Sequence, residues 1–200
     1  MPPRHSSLQR DLGVLEGALA ELPASQAMPA LVLLSGLPAS GKSYVAAELC
    51  RQYPLARLES DTMRKVLFSR PVYSQAESGR LFAAIHALLE ILLARGIPTI
   101  LDATNLKEAH RQPIYDIAKR HDAKLIIVET IAPHAVVRRR LAARLAGENL
   151  RDHSDAGIDV YETMRREAEP IQRKHFTIDT SGDVKTIIDR IARELKGTTG

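Results

Sequence analysis

Hydrophobic residues near the beginning of the chain recur at intervals of three and four positions. Between residues 6 and 22, leucine occupies positions 8, 12, 15, 19 and 22. This spacing places the leucine side chains on one face of a helix. The segment PASQAMPA that follows lacks this period and predicts a short linker. We therefore predict an amphipathic helix and linker over residues 1–29, with the helix packed on the domain rather than used for dimerisation.

From residue 30 onward, short apolar runs alternate with segments of helical period. The apolar runs predict five strands, at 30–35, 54–59, 98–102, 123–130 and 176–179. Helical patterns lie at 42–52, 75–95, 107–121, 134–146, 155–170 and 183–196. This alternation predicts one α/β domain over residues 30–197, with a mainly parallel sheet between two layers of helices. Functional sites in such sheets gather at the carboxyl ends of the strands.

Composition restricts the class of protein further. Hydrophobic residues make up 44% and charged residues 26% of the 200 residues, which is ordinary for a soluble globular protein. No apolar run approaches the length of a membrane span, and the first residues lack the apolar core of a secretory signal. The single cysteine, Cys50, excludes an intrachain disulfide and is expected to be a small core residue. We therefore expect a soluble, cytoplasmic protein.

A glycine-rich segment follows the first predicted strand and opens the next predicted helix. Its sequence, GLPASGKS, matches the phosphate-binding pattern G-x-x-x-x-G-K-[ST] at every fixed position. Glycines let the backbone N–H groups point at phosphate oxygens, and the helix N-terminus faces the same charge. Lys42 can reach the β- and γ-phosphates, and the Ser43 hydroxyl can coordinate Mg²⁺. We assign ATP binding to Gly36, Leu37, Pro38, Ala39, Ser40, Gly41, Lys42 and Ser43, with the adjacent Tyr44.

The second predicted strand ends in Glu-Ser-Asp-Thr-Met-Arg, which places Asp61 and Arg64 at a strand end. A carboxylate beside the γ-phosphate can accept the proton of an attacking hydroxyl, so Asp61 is the candidate general base. Arg64 lies one helical turn later and could bind an acceptor phosphate through two hydrogen bonds. The alternative interpretation is a helix N-cap at Ser60 or Asp61 with a solvated Arg64.

The third predicted strand ends in Asp102-Ala-Thr104-Asn105. Asp102 is expected to hold a Mg²⁺-bound water or to position the acceptor. Thr104 and Asn105 offer neutral hydrogen bonds to a phosphate or a sugar. The alternative is an Asx turn followed by a helix cap at Asn105.

Positive charge is concentrated after the fourth predicted strand. Between residues 134 and 151 there are five arginines, at 138, 139, 140, 144 and 151, and one acid, Glu148. Arg140 and Arg144 are four residues apart and share one helical face, which predicts a closing lid over about 134–157 that neutralises the transferring phosphoryl group. Arg138 and Arg139 point elsewhere and are expected to be solvated.

Over residues 30–195 the chain resembles the P-loop kinases of the polynucleotide 5′-kinase and zeta-toxin-like branch. The resemblance is carried by the P-loop, Asp61-x-x-Arg64, Asp102-x-Thr104-Asn105 and Arg140-x-x-x-Arg144, and by IDVYETMRRE after the lid. It implies that Asp61 is the general base, that Arg64 contacts an acceptor phosphate, and that Arg140 and Arg144 contact the donor phosphates. The segment from 179 to 182 is where adenine contacts are expected.

The acceptor stays open at this point. The first hypothesis is the 5′-hydroxyl of a DNA or RNA end, which the net charge of +4 permits. The second is a small-molecule kinase for an antibiotic, sugar or nucleoside. The third is a nucleotide-binding regulator without transfer. Only Tyr44, Phe68 and Tyr73 could stack on bases near the site, and each is expected to belong to the core instead.

Overall fold

The computed structural model describes residues 4–19, 21–145 and 157–197, with side chains omitted at 4–6, 144 and 145. Its helices are α1 (Arg4–Gly17), α2 (Lys42–Gln52), α3 (Ser60–Leu67), α4 (Gln75–Ala94), α5 (Glu108–Arg120), α6 (His134–Leu145), α7 (Ile158–Glu167) and α8 (Lys185–Leu195). Its strands are β1 (Ala30–Ser35), β2 (Ala56–Glu59), β3 (Thr99–Asp102), β4 (Lys124–Ile131) and β5 (Phe176–Asp179).

The five strands form one sheet in the order β2-β3-β1-β4-β5, and every pairing is parallel. This confirms the predicted α/β fold with its layers of helices on both faces. The chain leaves β1 for β2 on one side of the sheet and later crosses to β4 on the other. The ends of β3, β1 and β4 therefore meet where the strand order changes direction, which is the usual place for a ligand.

The sheet separates two hydrophobic clusters, and β1 contributes to both by alternation. Leu31 and Leu33 pack with residues of α4 and α5, while Val32 and Leu34 pack with residues of α2 and α8. All four side chains are completely buried, as expected for a central parallel strand covered on both faces.

Helix α1 packs on the domain, mainly against α4 and also against α3. Leu15 is completely buried in the same cluster as the α4 leucines. Buried Asp11 accepts two hydrogen bonds from Arg80 of α4, at 2.7 Å from Nε and 2.6 Å from Nη2. Packing of this helix on the domain agrees with the prediction.

Some boundaries differ from the sequence-based ones for local reasons. The first helix ends at Gly17 instead of continuing to 22, because glycine disfavours helix and the chain passes into two tight turns there. Helix α3 spans only 8 residues, too few to show a helical period in the sequence. Helix α7 is shorter than the predicted 155–170, and its first two predicted residues lie outside the described part. Among the helices described, none combines the length and apolar character needed to cross a bilayer.

Candidate active site

The P-loop connects β1 to α2 and packs against Thr130 of β4 and against Thr180, which follows β5. Gly36 has a φ of +154°, and a Cβ atom there would lie 2.4 Å from Oγ1 of Thr130. Gly41 has a φ of +95°, and a Cβ atom there would lie 2.9 Å from the Thr180 side chain. Both positions therefore exclude side chains for steric as well as conformational reasons.

The two polar residues at the end of the loop have partners in the structure. Lys42 Nζ donates to the carbonyl oxygens of Gly36 at 3.0 Å and Leu37 at 2.9 Å. Ser43 Oγ donates to Oε1 of Glu59 at 3.4 Å, and Thr62 donates to Oε2 of the same carboxylate at 2.9 Å. Sequence reasoning missed Glu59, although its position at the end of β2 was a usable signal.

Asp61 lies in the first turn of α3, directly after β2, where the side chain is partly buried. Burial raises the pKa of its carboxyl, and the positive charge of Lys42 acts in the opposite direction. The structure therefore brings Asp61 to the P-loop lysine. Neither Ser60 nor Asp61 is the N-cap of α3, because that position belongs to Glu59.

Arg64 does not face open solvent. Only 6% of the residue is exposed, and its Nη1 donates to Oε1 of Glu77 at 2.6 Å. Nη2 donates to Ser78 at 3.2 Å, and the ring of Tyr73 lies 4.7 Å from the guanidinium carbon. The alternative of a solvated Arg64 is wrong, because α4 supplies a buried carboxylate that sequence spacing did not reveal. The amide of Val72 and the Arg64 guanidinium lower the pKa of Glu77.

Asp102 lies at the end of β3 beside Glu59 of β2 in the sheet register. Its buried carboxylate accepts a hydrogen bond from Nη2 of Arg57 at 2.8 Å. The same arginine nitrogen lies 3.4 Å from Oε1 of Glu59. Arg57 therefore bridges the two carboxylates. The sequence analysis did not single out Arg57, which reaches the site because it lies two residues before Glu59 on the same face of β2.

Thr104 and Asn105 form the turn after β3 and make hydrogen bonds to the start of the P-loop and to the end of β1. The Thr104 carbonyl accepts from the Gly36 amide at 3.0 Å. Asn105 adopts a φ of +46°, and its buried amide donates to the Leu34 carbonyl at 2.8 Å. The alternative of a helix cap at Asn105 is wrong, because α5 begins three residues later with Lys107 as its N-cap.

Helix α6 contacts the P-loop through Arg140. Its Nη1 donates to the Ala39 carbonyl at 3.0 Å and to Thr180 Oγ1 at 2.9 Å, while Nη2 donates to the Thr180 carbonyl at 2.8 Å. Thr180 Oγ1 in turn donates to the Ser40 carbonyl at 2.7 Å. The expected solvation of Arg138 and Arg139 is confirmed. The Arg144 side chain, Arg151 and the lid between 146 and 156 lie outside the described residues.

The aromatic residues near the site differ from expectation. Tyr44 is 53% exposed and Tyr73 is 43% exposed, so the prediction that they belong to the core is wrong. Tyr44 follows Ser43 on the outer surface of α2, and Tyr73 covers Arg64. Phe68 is partly buried against the α3–α4 cluster, with Arg80 above its ring. Cys50 is partly buried and packs against the α2 cluster.

A family model described as an AAA domain matches residues 31–171. The match covers more than half of the chain and includes the P-loop, α3, the end of β3 and α6. The chain belongs to the AAA domain family. Of the site residues described above, this AAA domain match excludes only Thr180.

Similarity to individual proteins agrees with the AAA domain fold. The chain is 31% identical over 145 residues to 6-phosphofructo-2-kinase/fructose-2,6-bisphosphatase 1 of Rattus norvegicus, covering 63% of this chain and 29% of that enzyme. It thus spans less than a third of that relative's length.

Two solved structures have the same fold. The Mycobacterium tuberculosis APS kinase CysC, in complex with AMPPNP and APS, superposes with a TM-score of 0.61 at 19% identity, covering 86% of this chain and all 100% of CysC. A gluconokinase from Sinorhizobium meliloti 1021 superposes with a TM-score of 0.56 at 18% identity, covering 88% of this chain and 100% of the gluconokinase. These likenesses establish the fold of P-loop kinases. The finer resemblance to polynucleotide 5′-kinases stays a prediction.

Proposed function

We propose that this protein is an ATP-dependent kinase that transfers the γ-phosphate to a hydroxyl group of a small molecule. The observation that carries the proposal is the position of Asp61, a partly buried carboxylate of raised pKa on which the charge of the P-loop lysine acts. A structural P-loop needs no such carboxylate, whereas transfer to a hydroxyl needs a proton acceptor there. The matched family and the nucleotide named with the APS kinase structure support ATP as the donor.

The step assigns a role to each group. The acceptor oxygen forms a bond to the γ-phosphorus while the bond to the β-phosphate oxygen breaks, and ADP leaves. The hydroxyl proton passes to the Asp61 carboxylate. Lys42 and Arg140 stabilise the negative charge on the donor phosphates.

Oxygen donors for Mg²⁺ are present at the end of the P-loop. The Ser43 hydroxyl and the Glu59 carboxylate are hard ligands of the kind that this ion prefers, and they lie within 3.4 Å of each other. We assign them to Mg²⁺ bound with the nucleotide phosphates, where the ion supplies charge neutralisation. Asp102 is the candidate to accept from a water in the ion's shell, with Arg57 fixing its orientation.

A small acceptor is favoured over a nucleic acid end by the environment of Arg64. The guanidinium expected to bind the first phosphate of a strand is already neutralised by Glu77 and covered by Tyr73. A phosphate would have to displace a buried charge-assisted hydrogen bond to reach it, which is costly. The acceptors named for the similar kinases, APS and gluconate, are likewise small molecules.

The test is γ-phosphate transfer from labelled ATP to a panel of small hydroxyl compounds, beside 5′-hydroxyl DNA and RNA oligonucleotides. We expect a labelled small molecule with the wild-type protein and none with Asp61→Asn. Labelled oligonucleotide, absent with Asp61→Asn, would establish a polynucleotide kinase instead. If Asp61→Asn left every activity unchanged while Lys42→Ala abolished nucleotide binding, the protein would be a nucleotide-binding regulator.

A further inference from the structure

A cavity of about 290 Å³ lies between the P-loop, the end of β4 and α7, and shares Gly36, Leu37 and Ser40 with the ATP-binding loop. Its volume is at the lower end of the range of small-ligand pockets. Its wall includes apolar side chains and three charged ones. The apolar side chains include Leu37, Leu106 and Tyr161, and the charged ones are Glu129, Arg165 and Glu169. A molecule of a single ring fits such a space, and an extended strand does not.

The cavity is adjacent to the reaction centre. Gly36 and Leu37 form part of its wall, and their carbonyl oxygens are the two acceptors of the Lys42 ammonium. Lys42 is also the cation whose charge acts on Asp61. A ligand in the cavity therefore contacts the two P-loop residues that bind the Lys42 ammonium. It lies next to the groups that would act on the γ-phosphate and the hydroxyl proton.

The charges of the wall select the ligand. Glu129, Glu169 and Arg165 all line the cavity. The Glu129 carboxylate lies 3.6 Å from His175, Glu169 accepts from the Glu108 amide at 2.7 Å, and Arg165 lies 3.5 Å from Glu162. Carboxylates accept hydrogen bonds from hydroxyl groups, and a guanidinium donates to hydroxyl oxygens. Among the described residues of the wall, added phosphate charge would meet two carboxylates, one arginine and His134, whose ring nitrogen is already bonded to Glu162. The wall therefore favours an uncharged ligand with several hydroxyl groups.

We infer that this cavity binds the non-reacting part of the phosphate acceptor, and that the acceptor is an uncharged, single-ring polyhydroxylated molecule such as a sugar or a cyclitol. The inference rests on the proposed function, since it names the substrate class of that reaction. Arg165 is then a residue that determines specificity, and Ala168, at the end of α7 on the cavity wall, leaves room for the ring.

The experiment compares three variants in transfer from labelled ATP to free hexoses, pentoses and inositol, with hexose phosphates and a 5′-hydroxyl oligonucleotide alongside. Arg165→Ala is expected to raise the KM for the polyol about tenfold, as expected for loss of a hydrogen bond to a charged group, with kcat and the KM for ATP nearly unchanged. Ala168→Trp should weaken the polyol at least as much by filling the cavity. Arg166→Ala, an exposed neighbour on α7 that does not line the cavity, should behave as wild type.

The remaining outcomes separate the two proposals. If a polyol is labelled but Arg165→Ala and Ala168→Trp match Arg166→Ala, the cavity assignment is overturned while the kinase function stands. Preference for a hexose phosphate or the oligonucleotide overturns the substrate class. If nothing is labelled, the proposed function fails, and saturation-transfer NMR of the same polyols decides the cavity alone. The cavity assignment is overturned if no saturation-transfer signal of the polyols is seen with the wild-type protein, or if the signal is equally strong with Arg165→Ala and Ala168→Trp.

Discussion

At Asp61, the protonation state that favours the folded protein differs from the one that the proposed reaction needs. Burial raises the pKa of its carboxyl, so the folded protein holds the proton to a higher pH than the unfolded chain does. For such a group, the contribution to stability is fully present below the unfolded pKa and is lost as pH rises through the folded pKa. At neutral pH the ionised carboxylate therefore makes the folded state less stable, while transfer to a hydroxyl requires that same ionised form.

Asp61→Asn should accordingly stabilise the protein while it removes activity. We expect a higher Tm at pH 7, with the gain shrinking as pH falls towards about 4, the ordinary value for an aspartate. We expect kcat to fall by about 10²- to 10⁴-fold, the range for loss of a general base, with nucleotide affinity nearly intact. Thermal melts across pH, steady-state kinetics and a nucleotide titration give these quantities. Asp159→Asn, at an exposed acid of α7, is the control. A lowered Tm with equal loss of nucleotide binding would contradict the assignment.

The P-loop glycines make a second prediction at this scale. Gly36→Ala should abolish nucleotide binding and lower the Tm, because the new Cβ would lie 2.6 Å from Ser40 Oγ and from the Thr130 carbonyl oxygen. Gly79→Ala is the matched control, since Gly79 is exposed in α4 with nothing within 4 Å of the added methyl. That change should raise stability by roughly 0.5–1 kcal/mol. Nucleotide titration and thermal melts of both variants decide the matter, and normal ATP binding by Gly36→Ala would refute the steric argument.

Single residues were predictable from sequence where the chemistry lies in a contiguous motif. The P-loop is such a motif, and Asp61 was recognisable as an acid at a strand end. The partners of these residues were not, because they come from distant parts of the chain. Glu77 lies 13 residues after Arg64 and Thr180 lies 140 residues after Ser40, and no spacing rule connects them. The sequence therefore indicated the donors and acids but not the side chains that orient them.

Helix α6 contacts the P-loop through hydrophobic packing of Val137 and Leu141 with Ala39, and through hydrogen bonds from Arg140. Arg140 donates hydrogen bonds to Ala39 in the loop and to Thr180, which packs on the loop, whereas the neighbouring Arg139 is exposed. A guanidinium in this position stabilises the loop and adds positive charge where the donor phosphates bind.

We expect Arg140→Ala to lower kcat/KM for ATP by about 10- to 100-fold, as expected for lost hydrogen bonds from a charged group, while Arg139→Ala stays near wild type. Steady-state kinetics with varied ATP measure this difference. A loss confined to kcat would indicate a contact made only in the transition state. Equal effects of the two variants would show that general surface charge, and not the contact with Ala39 and Thr180, is responsible.

Elements were predictable where the pattern was long or strongly apolar. The 20-residue α4 begins at the predicted position, and β5 has the predicted bounds. Helix α3 was not predictable, because it has only 8 residues and a Ser-Arg-Pro segment follows soon after it, so no periodic pattern can develop. The acceptor side of the site depends on this short helix and on the following turn, so sequence reasoning was least complete there.

At the scale of the whole molecule, α1 shares a hydrophobic core with the helices that carry the acceptor side. Leu15→Ala should lower the free energy of unfolding by about 2–5 kcal/mol, because a completely buried leucine leaves a cavity when it is truncated. Val14→Ala, at the adjacent residue that is 44% exposed, should change it little. Denaturant unfolding followed by circular dichroism measures both. An unchanged midpoint for Leu15→Ala would show that α1 unfolds separately from the domain.

The contact of Thr180 with the P-loop also affects how the protein is made. The ribosome releases the P-loop first, yet the side chain that packs on Gly41 and bonds to Ser40 and Arg140 comes 140 residues after Ser40. A nascent chain that ends before this residue presents a phosphate-binding motif without its outer support. ATP therefore cannot stabilise such a chain through a complete site, and the cell's nucleotide pool should favour chains that include Thr180 over shorter translation products.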